Sequence, residues 1–215
     1  MTNRGAPALG LRERKKLRTR ATLIDAAVEL CGRQGYDHTT VEQIAAVADV
    51  SPRTFSRYFP TKDSVALALV DEILDHAAVQ LDRQPPEFNH LEALRRSYLA
   101  IAEAAKNPGP DDLPAERVLR IVRILLSSAT LQHVTRDFRG DSVDAALARR
   151  MGVGLDDRRL KLVSSLWAAV IMTALGEVAE QVVDWDQVSV DDLAGRLDAT
   201  FTDFVSLVGG VVQVV

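Results

Sequence analysis

Cysteine and long uncharged apolar runs are both scarce in this sequence of 215 residues. The single cysteine, Cys31, cannot form an internal disulfide, which is compatible with a reducing compartment, and we expect a cytoplasmic location. It falls on an apolar helical stripe, so a small core residue is favoured over a redox sensor. No uncharged apolar run reaches the ~18 residues of a membrane span, and residues 1–16 lack the apolar block of a secretory signal.

Sustained period-two alternation is missing as well, apart from the short run 211–215. Apolar positions instead recur at helical spacing along almost the whole chain, which predicts an all-α protein. No internal repeat or low-complexity tract interrupts this pattern. We expect about nine helices and no sheet.

Clusters of residues that could bind a metal, bind a cofactor or catalyse a reaction are also scarce. The four histidines are scattered, and His133 with Asp137, one turn apart, does not make a metal site. Gly152 and Gly154 form a lone Gly-x-Gly without a preceding strand, so a dinucleotide fingerprint is unsupported. We therefore expect no catalytic residue, no metal site and no cofactor.

Charge is distributed unevenly. The chain carries a net charge of −4, yet residues 1–62 hold 11 Lys and Arg against 6 Asp and Glu, and the remainder holds 15 against 24. Residues 1–62, the head, are thus basic, and the remainder is acidic. This distribution confines the attraction for phosphate to one end of the molecule. Six of the basic side chains lie in the nine residues 12–20, which read as a solvated face, a phosphate-binding surface or an arm that reaches the minor groove.

The stretch 40–62 predicts two short helices joined by a tight turn. Thr40 and Gln43 have the spacing of a capping box, and Ser51 with Pro52 marks the start of the second helix. That second helix is polar and basic around Phe55 and Phe59, which we expect to be core residues. Two such helices are typical of a helix-turn-helix, whose second helix enters the DNA major groove.

The rest of the chain reads as longer helices separated by Gly and Pro. We place a DNA-binding domain with a basic N-terminal arm at 1–62 and a helical ligand-binding and dimerisation domain at 63–215. Thr61 is expected to cap the helix that links them, and single helices are predicted over 130–150, 156–183 and 190–208.

The segments AAVELCGRQGYDHTTVEQIAAVADVS and RTFSRYFPTK resemble the TetR family of bacterial transcriptional regulators. The resemblance covers ~60 residues and implies a homodimer on a near-palindromic DNA operator, with a helical domain whose ligand lowers DNA affinity. That family often has glycine where this chain has Arg53 and tyrosine where it has Ser56, so the operator sequence does not carry over. In the resemblance, Tyr58 and Lys62 match backbone-contact positions.

The hydrogen-bonding groups of the side chains indicate which residues of this head contact DNA. Arg53 and Arg57 are four residues apart on one helical face, and we expect one to contact a base and the other a phosphate, in either order. Thr40 is a candidate phosphate donor. The expected DNA-binding set is Arg14, Lys15, Arg18, Thr40, Ser51, Pro52, Arg53, Thr54, Ser56, Arg57, Tyr58 and Lys62.

The last two long helices, 156–183 and 190–208, carry broad apolar faces. The first face holds Leu160, Val163, Trp167, Val170, Ile171, Ala174 and Val178, and the second holds Leu193, Leu197, Phe201, Phe204 and Val208. These faces suit a four-helix dimer interface, with closure of the subunit's own core as the alternative.

A small-molecule inducer is also expected, in an apolar cavity between helices and therefore apolar or amphipathic. The candidate lining residues are Tyr98, Leu99, Leu125, Leu126, Phe138, Trp167 and Met172. Arg117, Arg120 and Arg123 recur every three residues, and an ion-paired face is favoured over an anion site. We expect a repressor, and the alternatives are a helical adaptor that binds proteins and an activator without a small-molecule input.

Overall fold

The computed structural model describes residues 10–136, 140–182 and 184–212, and in that part of the chain it contains helices and no strand. The all-α prediction is confirmed. The helices are α1 (Leu11–Gln34), α2 (Val41–Val47), α3 (Pro52–Tyr58), α4 (Lys62–Asp82), α5 (His90–Lys106), α6 (Ala115–Leu126), α7 (Ala129–Arg136), α8 (Asp141–Met151), α9 (Arg158–Gln181) and α10 (Val190–Val212), with a short 3₁₀ turn at Trp185–Gln187.

Local chemistry sets the boundaries of the first helices. Gly35, at φ 82°, ends α1 in a conformation that side chains with a Cβ rarely adopt. The Thr40 hydroxyl accepts from the Gln43 amide, and the Gln43 side chain accepts from the Thr40 amide, so the predicted capping box is present. The Ser51 and Thr61 hydroxyls accept from the third residue of α3 and α4 in the same way.

The chain divides into two compact units, one that ends at Ala66 and one that begins at Leu67. α1, α2, α3 and the first turn of α4 belong to the N-terminal unit, whose core is Leu23, Ile24, Val28, Cys31, Ile44, Phe55, Phe59 and Val65. Burial raises the pKa of the Cys31 thiol above its ordinary value, as expected of a core residue. α4 begins in this unit and continues in the next.

The C-terminal unit packs its helices around an aromatic row. The ring centroids of Tyr98 and Trp167 are 5.3 Å apart, those of Trp167 and Phe201 6.0 Å, and those of Phe201 and Phe204 6.3 Å. Trp167 is 3% exposed. α5, α9 and α10 therefore share one core, with α8 packed against α5 and α9.

The single helix predicted over 130–150 is wrong. Two helices, α7 and α8, occupy this stretch, because Gly140 has an extended backbone and precedes α8 as its N-cap. A Cβ at this glycine would overlap Cδ1 of Leu74 on α4 and lie 3.0 Å from the Leu74 Cβ. The helix break thus coincides with a close approach to α4 that favours glycine.

α9 is the one helix in the described ranges that is long and apolar enough to cross a membrane by length and composition. Only 28% of the most apolar 18-residue stretch of this helix is buried within the chain. Leu162 and Leu166 are 52% and 43% exposed, respectively. A long apolar helix with this much exposed surface is typical of an interaction site.

Candidate nucleic-acid interface and internal cavity

The turn between α2 and α3 is held by backbone hydrogen bonds. The amide of Val50 donates to the carbonyl of Ala45 at 2.9 Å, and Asp49 adopts a left-handed conformation at φ 52°. Aspartate tolerates this conformation better than most residues with a Cβ. The two short helices therefore meet at a fixed angle, as a helix-turn-helix requires.

α3 has one buried face and one exposed face. Phe55 is fully buried and Phe59 is 3% exposed, with their ring centroids 5.8 Å apart. The guanidinium of Arg20 on α1 lies 5.2 Å from the Phe59 ring centroid. Both phenylalanines are core residues, as predicted, and they anchor α3 so that its other side faces outward.

The exposed face of α3 presents two arginines. Arg53 and Arg57 are both solvent exposed, one helical turn apart. The Arg57 guanidinium lies 5.3 Å from the ring centroid of Tyr58, which orients it, whereas Arg53 makes no hydrogen bond or ion pair with any residue that the structure describes. The Arg53 guanidinium is therefore less constrained by contacts within the described residues than that of Arg57.

Hydroxyl groups surround these arginines, and several are already used. The Ser51 hydroxyl accepts from the Thr54 amide at 3.1 Å and lies 3.0 Å from the Thr54 hydroxyl. Ser56 donates its proton to the carbonyl of Pro52 at 3.1 Å. The Thr40 oxygen accepts its capping bond, which leaves its proton available to a partner outside the chain.

Lys62 is partly occupied inside the N-terminal unit. Its ammonium donates to the Tyr36 carbonyl at 2.9 Å and lies 3.9 Å from the centroid of the Tyr36 ring. The Tyr36 hydroxyl in turn donates to Asp63, and burial together with this contact raises the Tyr36 pKa. A DNA contact by Lys62 would use its remaining N–H groups.

The basic run on α1 is helical from Leu11 onward and does not form an extended arm within the described residues. Arg14, Lys15 and Arg18 are all exposed. Arg18 lies four positions after Arg14 and three after Lys15, so it is a surface neighbour of both. Residues 1–9 lie outside the described ranges.

The C-terminal unit contains two adjacent cavities of about 130 and 170 Å³. Val70, Leu74, Tyr98, Leu125, Ile171 and Leu175 line both cavities. Among the residues expected from the sequence, the structure places Tyr98, Leu125, Leu126, Trp167 and Met172 on the wall of the smaller cavity. Leu99 does not line either, and Phe138 lies outside the described residues.

The two cavities differ in polarity. The described residues that line the larger one are all apolar except Tyr98. The smaller one also contains Asp144, whose carboxylate accepts a hydrogen bond of 2.6 Å from Ser164. Sequence reasoning missed Asp144 and Ser164, because a single polar residue on an otherwise mixed helix gives no signal about the cavity it lines.

The indole N–H of Trp167 is a buried donor for which no acceptor meets hydrogen-bond geometry among the described residues. Burial is the largest influence on the Tyr98 phenol, and it raises the pKa of this group and keeps it neutral. The Trp167 N–H lies close enough to lower the Tyr98 pKa, although the two groups do not meet strict hydrogen-bond geometry.

The three arginines of α6 are ion-paired, as the sequence favoured. Arg117 forms two hydrogen bonds to the Glu72 carboxylate, at 3.0 and 2.9 Å. Arg120 pairs with Glu116, and Arg123 lies 3.6 Å from Asp186. None of these side chains lines either cavity.

The apolar faces assigned to the dimer interface lie largely inside the subunit. For α9 the expectation is wrong, since most residues of its predicted face close the subunit's own core; of the predicted α10 face only Phe201 is buried, and Val208 is exposed. Buried members are Leu160, Trp167, Val170, Ala174, Val178 and Phe201. A different stripe of α9 is exposed instead, formed by Leu162, Leu166, Ala169 and Thr173 at helical spacing.

Comparison with known proteins agrees with this geometry. A profile described as "Bacterial regulatory proteins, tetR family" matches residues 23–69, which include α2 and α3. The chain is 36% identical over 153 residues to the HTH-type transcriptional regulator TcmR of Streptomyces glaucescens, covering 69% of this chain and 67% of TcmR. It is 27% identical over 188 residues to the HTH-type transcriptional repressor KstR of Rhodococcus jostii (strain RHA1), covering 84% and 80% of the two chains.

Among solved structures, the fold is similar to that of FadR from Thermus thermophilus, a TetR-family transcriptional repressor crystallised with lauroyl-CoA. The TM-score is 0.50 at 24% sequence identity, over 85% of this chain and 91% of that one. The similarity extends across both compact units and concerns the fold alone.

Proposed function

The chain belongs to the TetR family of bacterial helix-turn-helix transcriptional regulators, and we propose that it is a repressor released from its operator by a small molecule. The similar protein KstR carries the name of repressor, which supports this direction of regulation. We further propose that the protein acts in the cytoplasm as a homodimer and has no catalytic role.

The exposed face of α3 is the observation that carries the proposal. Phe55 and Phe59 fix one side of the helix in the core, while Arg53, Ser56 and Arg57 are exposed on the other. In this fold class the second helix enters the major groove, where arginine recognises guanine. Thr40, Tyr58, Lys62 and the exposed basic residues of α1 are proposed to contact the phosphate backbone.

The exposed apolar surface of α9 and α10 supports dimerisation through these two helices. Leu162 and Leu166 on α9, with Val205 and Val208 on α10, are each between 43% and 52% exposed. Ala169 and Thr173 are small and exposed, so a second copy can approach α9 closely. A two-fold arrangement would supply two identical heads for two half-sites of an operator.

The cavities of the C-terminal unit are the proposed inducer site. Their walls are mainly apolar and lie between helices, which suits an apolar or amphipathic small molecule. Release would be a population shift, in which the inducer binds the DNA-incompetent arrangement more tightly than the competent one. α4 is the proposed lever, because it begins in the N-terminal unit and lines both cavities through Val70 and Leu74.

The test is fluorescence anisotropy of a labelled duplex taken from upstream of this protein's own gene, against a scrambled duplex, over a salt series. We expect sequence-dependent binding whose logarithm falls linearly with the logarithm of salt concentration, because phosphate contacts release counterions. If the protein does not prefer the upstream duplex, and selection from random DNA also yields no preferred sequence, the proposal fails. The helical adaptor then becomes the better explanation. A reporter that rises with the protein and ignores ligands would instead identify an activator.

A further inference from the structure

Two glutamine side chains join the end of α1 to the start of α2. The amide nitrogen of Gln34 donates one hydrogen bond to the His38 carbonyl at 2.8 Å and another to Oε1 of Gln43 at 2.9 Å. The same Gln43 oxygen accepts from the backbone N–H of Thr40 at 2.9 Å. Both hydrogens of the Gln34 amide and both lone pairs of the Gln43 oxygen are therefore used within the head.

These contacts fix the direction in which the Gln43 amide faces. A backbone N–H can only donate, so the Gln43 atom that faces Thr40 is the oxygen, and the two ends of this amide cannot be exchanged. The Gln34 amide is held in the same way by the His38 carbonyl, which can only accept. The Nε2 atom of Gln43 consequently faces away from both partners, and it donates to no residue that the structure describes.

We infer that Nε2 of Gln43 donates to a phosphate of the DNA backbone and that Gln34 positions it for this contact, a role that rests on the proposed function of the head. Gln43 is exposed, and it shares the capping box with Thr40, whose hydroxyl proton is also available to a partner outside the chain. One capping box thus carries two neutral donors without acceptors. A phosphate offers the acceptor oxygens that they lack.

The orientation of the side chain, and not the end of the helix, supplies this contact. α2 has only seven residues, and Glu42 in its first turn is exposed and negative. The Gln43 amide is already held in one orientation, so less conformational entropy is lost when DNA binds. A phosphate is a better partner than a base edge, because the first helix of a helix-turn-helix crosses the DNA backbone while the second enters the groove.

Three substitutions separate the donor from the cap. Gln43→Glu keeps an oxygen that accepts from Gln34 and Thr40, because glutamate serves a capping box as glutamine does, but it removes the N–H groups. Gln43→Met removes the donor without adding a charge. Gln34→Met keeps the Gln43 donor and frees it to rotate. Gln80→Met, the same change on α4 in the C-terminal unit, is the control.

Binding of the full chain to the upstream duplex and to a scrambled duplex of equal length is measured by fluorescence anisotropy. We expect Gln43→Met to weaken binding to both by about three- to tenfold with an unchanged affinity ratio, because a phosphate contact carries no sequence information. Its salt slope should equal that of the parent chain, since a neutral donor releases no counterion. Gln43→Glu should lose at least as much affinity, and Gln80→Met should lose none.

The positioning role of Gln34 needs its own readout. In the Gln34→Met background, Gln43→Met should cost less affinity than in the parent chain, because the donor is no longer oriented. The ¹⁵N-labelled side-chain amide of Gln43, identified by its absence in Gln43→Glu, is followed by NMR as scrambled duplex is added. It should shift in the parent chain and shift less in Gln34→Met. A purely structural role of Gln34 would lower the unfolding free energy and leave this shift unchanged.

Unchanged affinity of Gln43→Met and Gln43→Glu on both duplexes would overturn the inference. So would a loss confined to the upstream duplex, which would make Gln43 a base contact. Additive effects of Gln34→Met and Gln43→Met would remove the role of Gln34.

The two duplexes also separate this contact from the proposed function. A parent chain that selects the upstream duplex but ignores the Gln43 substitutions would remain a regulator without the contact. A parent chain that prefers no sequence but loses affinity in Gln43→Met would keep the contact and lose operator recognition. Binding to neither duplex would overturn both.

Discussion

The ammonium of Lys62 rests on the face of Tyr36, 3.9 Å from the ring centroid, and donates to the carbonyl of the same residue at 2.9 Å. One side chain thereby ties the start of α4 to the segment that follows α1. Lys62→Met keeps the aliphatic chain but removes both contacts. We expect the free energy of unfolding to fall by about 1–2 kcal/mol, measured by urea denaturation. An unchanged stability would mean that the lysine is held there only loosely.

The two arginines of α3 should behave differently on DNA. Arg53 lies in the first turn of α3, where helix-turn-helix proteins contact base edges, and its guanidinium is free. Arg53→Ala should therefore reduce discrimination at one operator position by about 1–3 kcal/mol. Arg57→Ala should weaken binding to all sequences and lower the salt slope by about one. Anisotropy titrations check both, with the exposed Arg33→Ala as the control.

The exposed stripe of α9 predicts the behaviour of a charged substitution. Leu166→Glu places a carboxylate in the middle of the proposed interface, so we expect monomers in sedimentation equilibrium at concentrations where the parent is dimeric. Leu155→Glu is the control, because Leu155 is 60% exposed but precedes α9 in a loop. If both variants stay dimeric, the interface lies elsewhere on the chain.

Gly140 and Leu74 should show coupled energetics. In Gly140→Ala the new Cβ would overlap Leu74, and we expect a loss of about 1–3 kcal/mol in unfolding free energy. Gly154→Ala is the control, since a Cβ there meets nothing within 4 Å. In the background Leu74→Ala the same glycine substitution should cost less, and simple additivity in the double-mutant cycle would contradict the contact.

Cys31 should influence stability at alkaline pH. Burial raises the pKa of its thiol in the folded chain above the ordinary value, so the folded state holds the proton more tightly than the unfolded state does. The contribution of this group is therefore fully present below the ordinary pKa and is lost as pH rises above about 9. Urea unfolding between pH 8 and 10 should show a shallower decline for Cys31→Ala than for the parent chain.

The helix starts of the head were predictable because the residues that decide them are neighbours in sequence. Thr40 with Gln43, and Ser51 with Pro52, act over three positions, and the structure has these caps. The burial of Phe55 and Phe59 also follows from helical spacing alone. Interactions between residues close in sequence thus determine the helix boundaries of the head.

The break at Gly140 was not predictable in that way, since a glycine within an apolar pattern fits a helix as well as a break. What decides between them is Leu74, which lies 66 residues earlier in the sequence. The same limitation applies to α9. Periodicity shows that an apolar face exists, but whether its partner is the same chain or a second copy depends on the packing of distant helices.

Ser56 donates its only proton to the carbonyl of Pro52. A hydroxyl in this state presents lone pairs and no proton to the outside, so it suits an amino group of adenine or cytosine better than the oxygen of a phosphate. The small side chain at this position thus gives the proposed groove-facing surface a polarity opposite to that of Arg53 beside it. An operator would then be recognised by a pair of neighbouring groups, one that gives hydrogen bonds and one that accepts them.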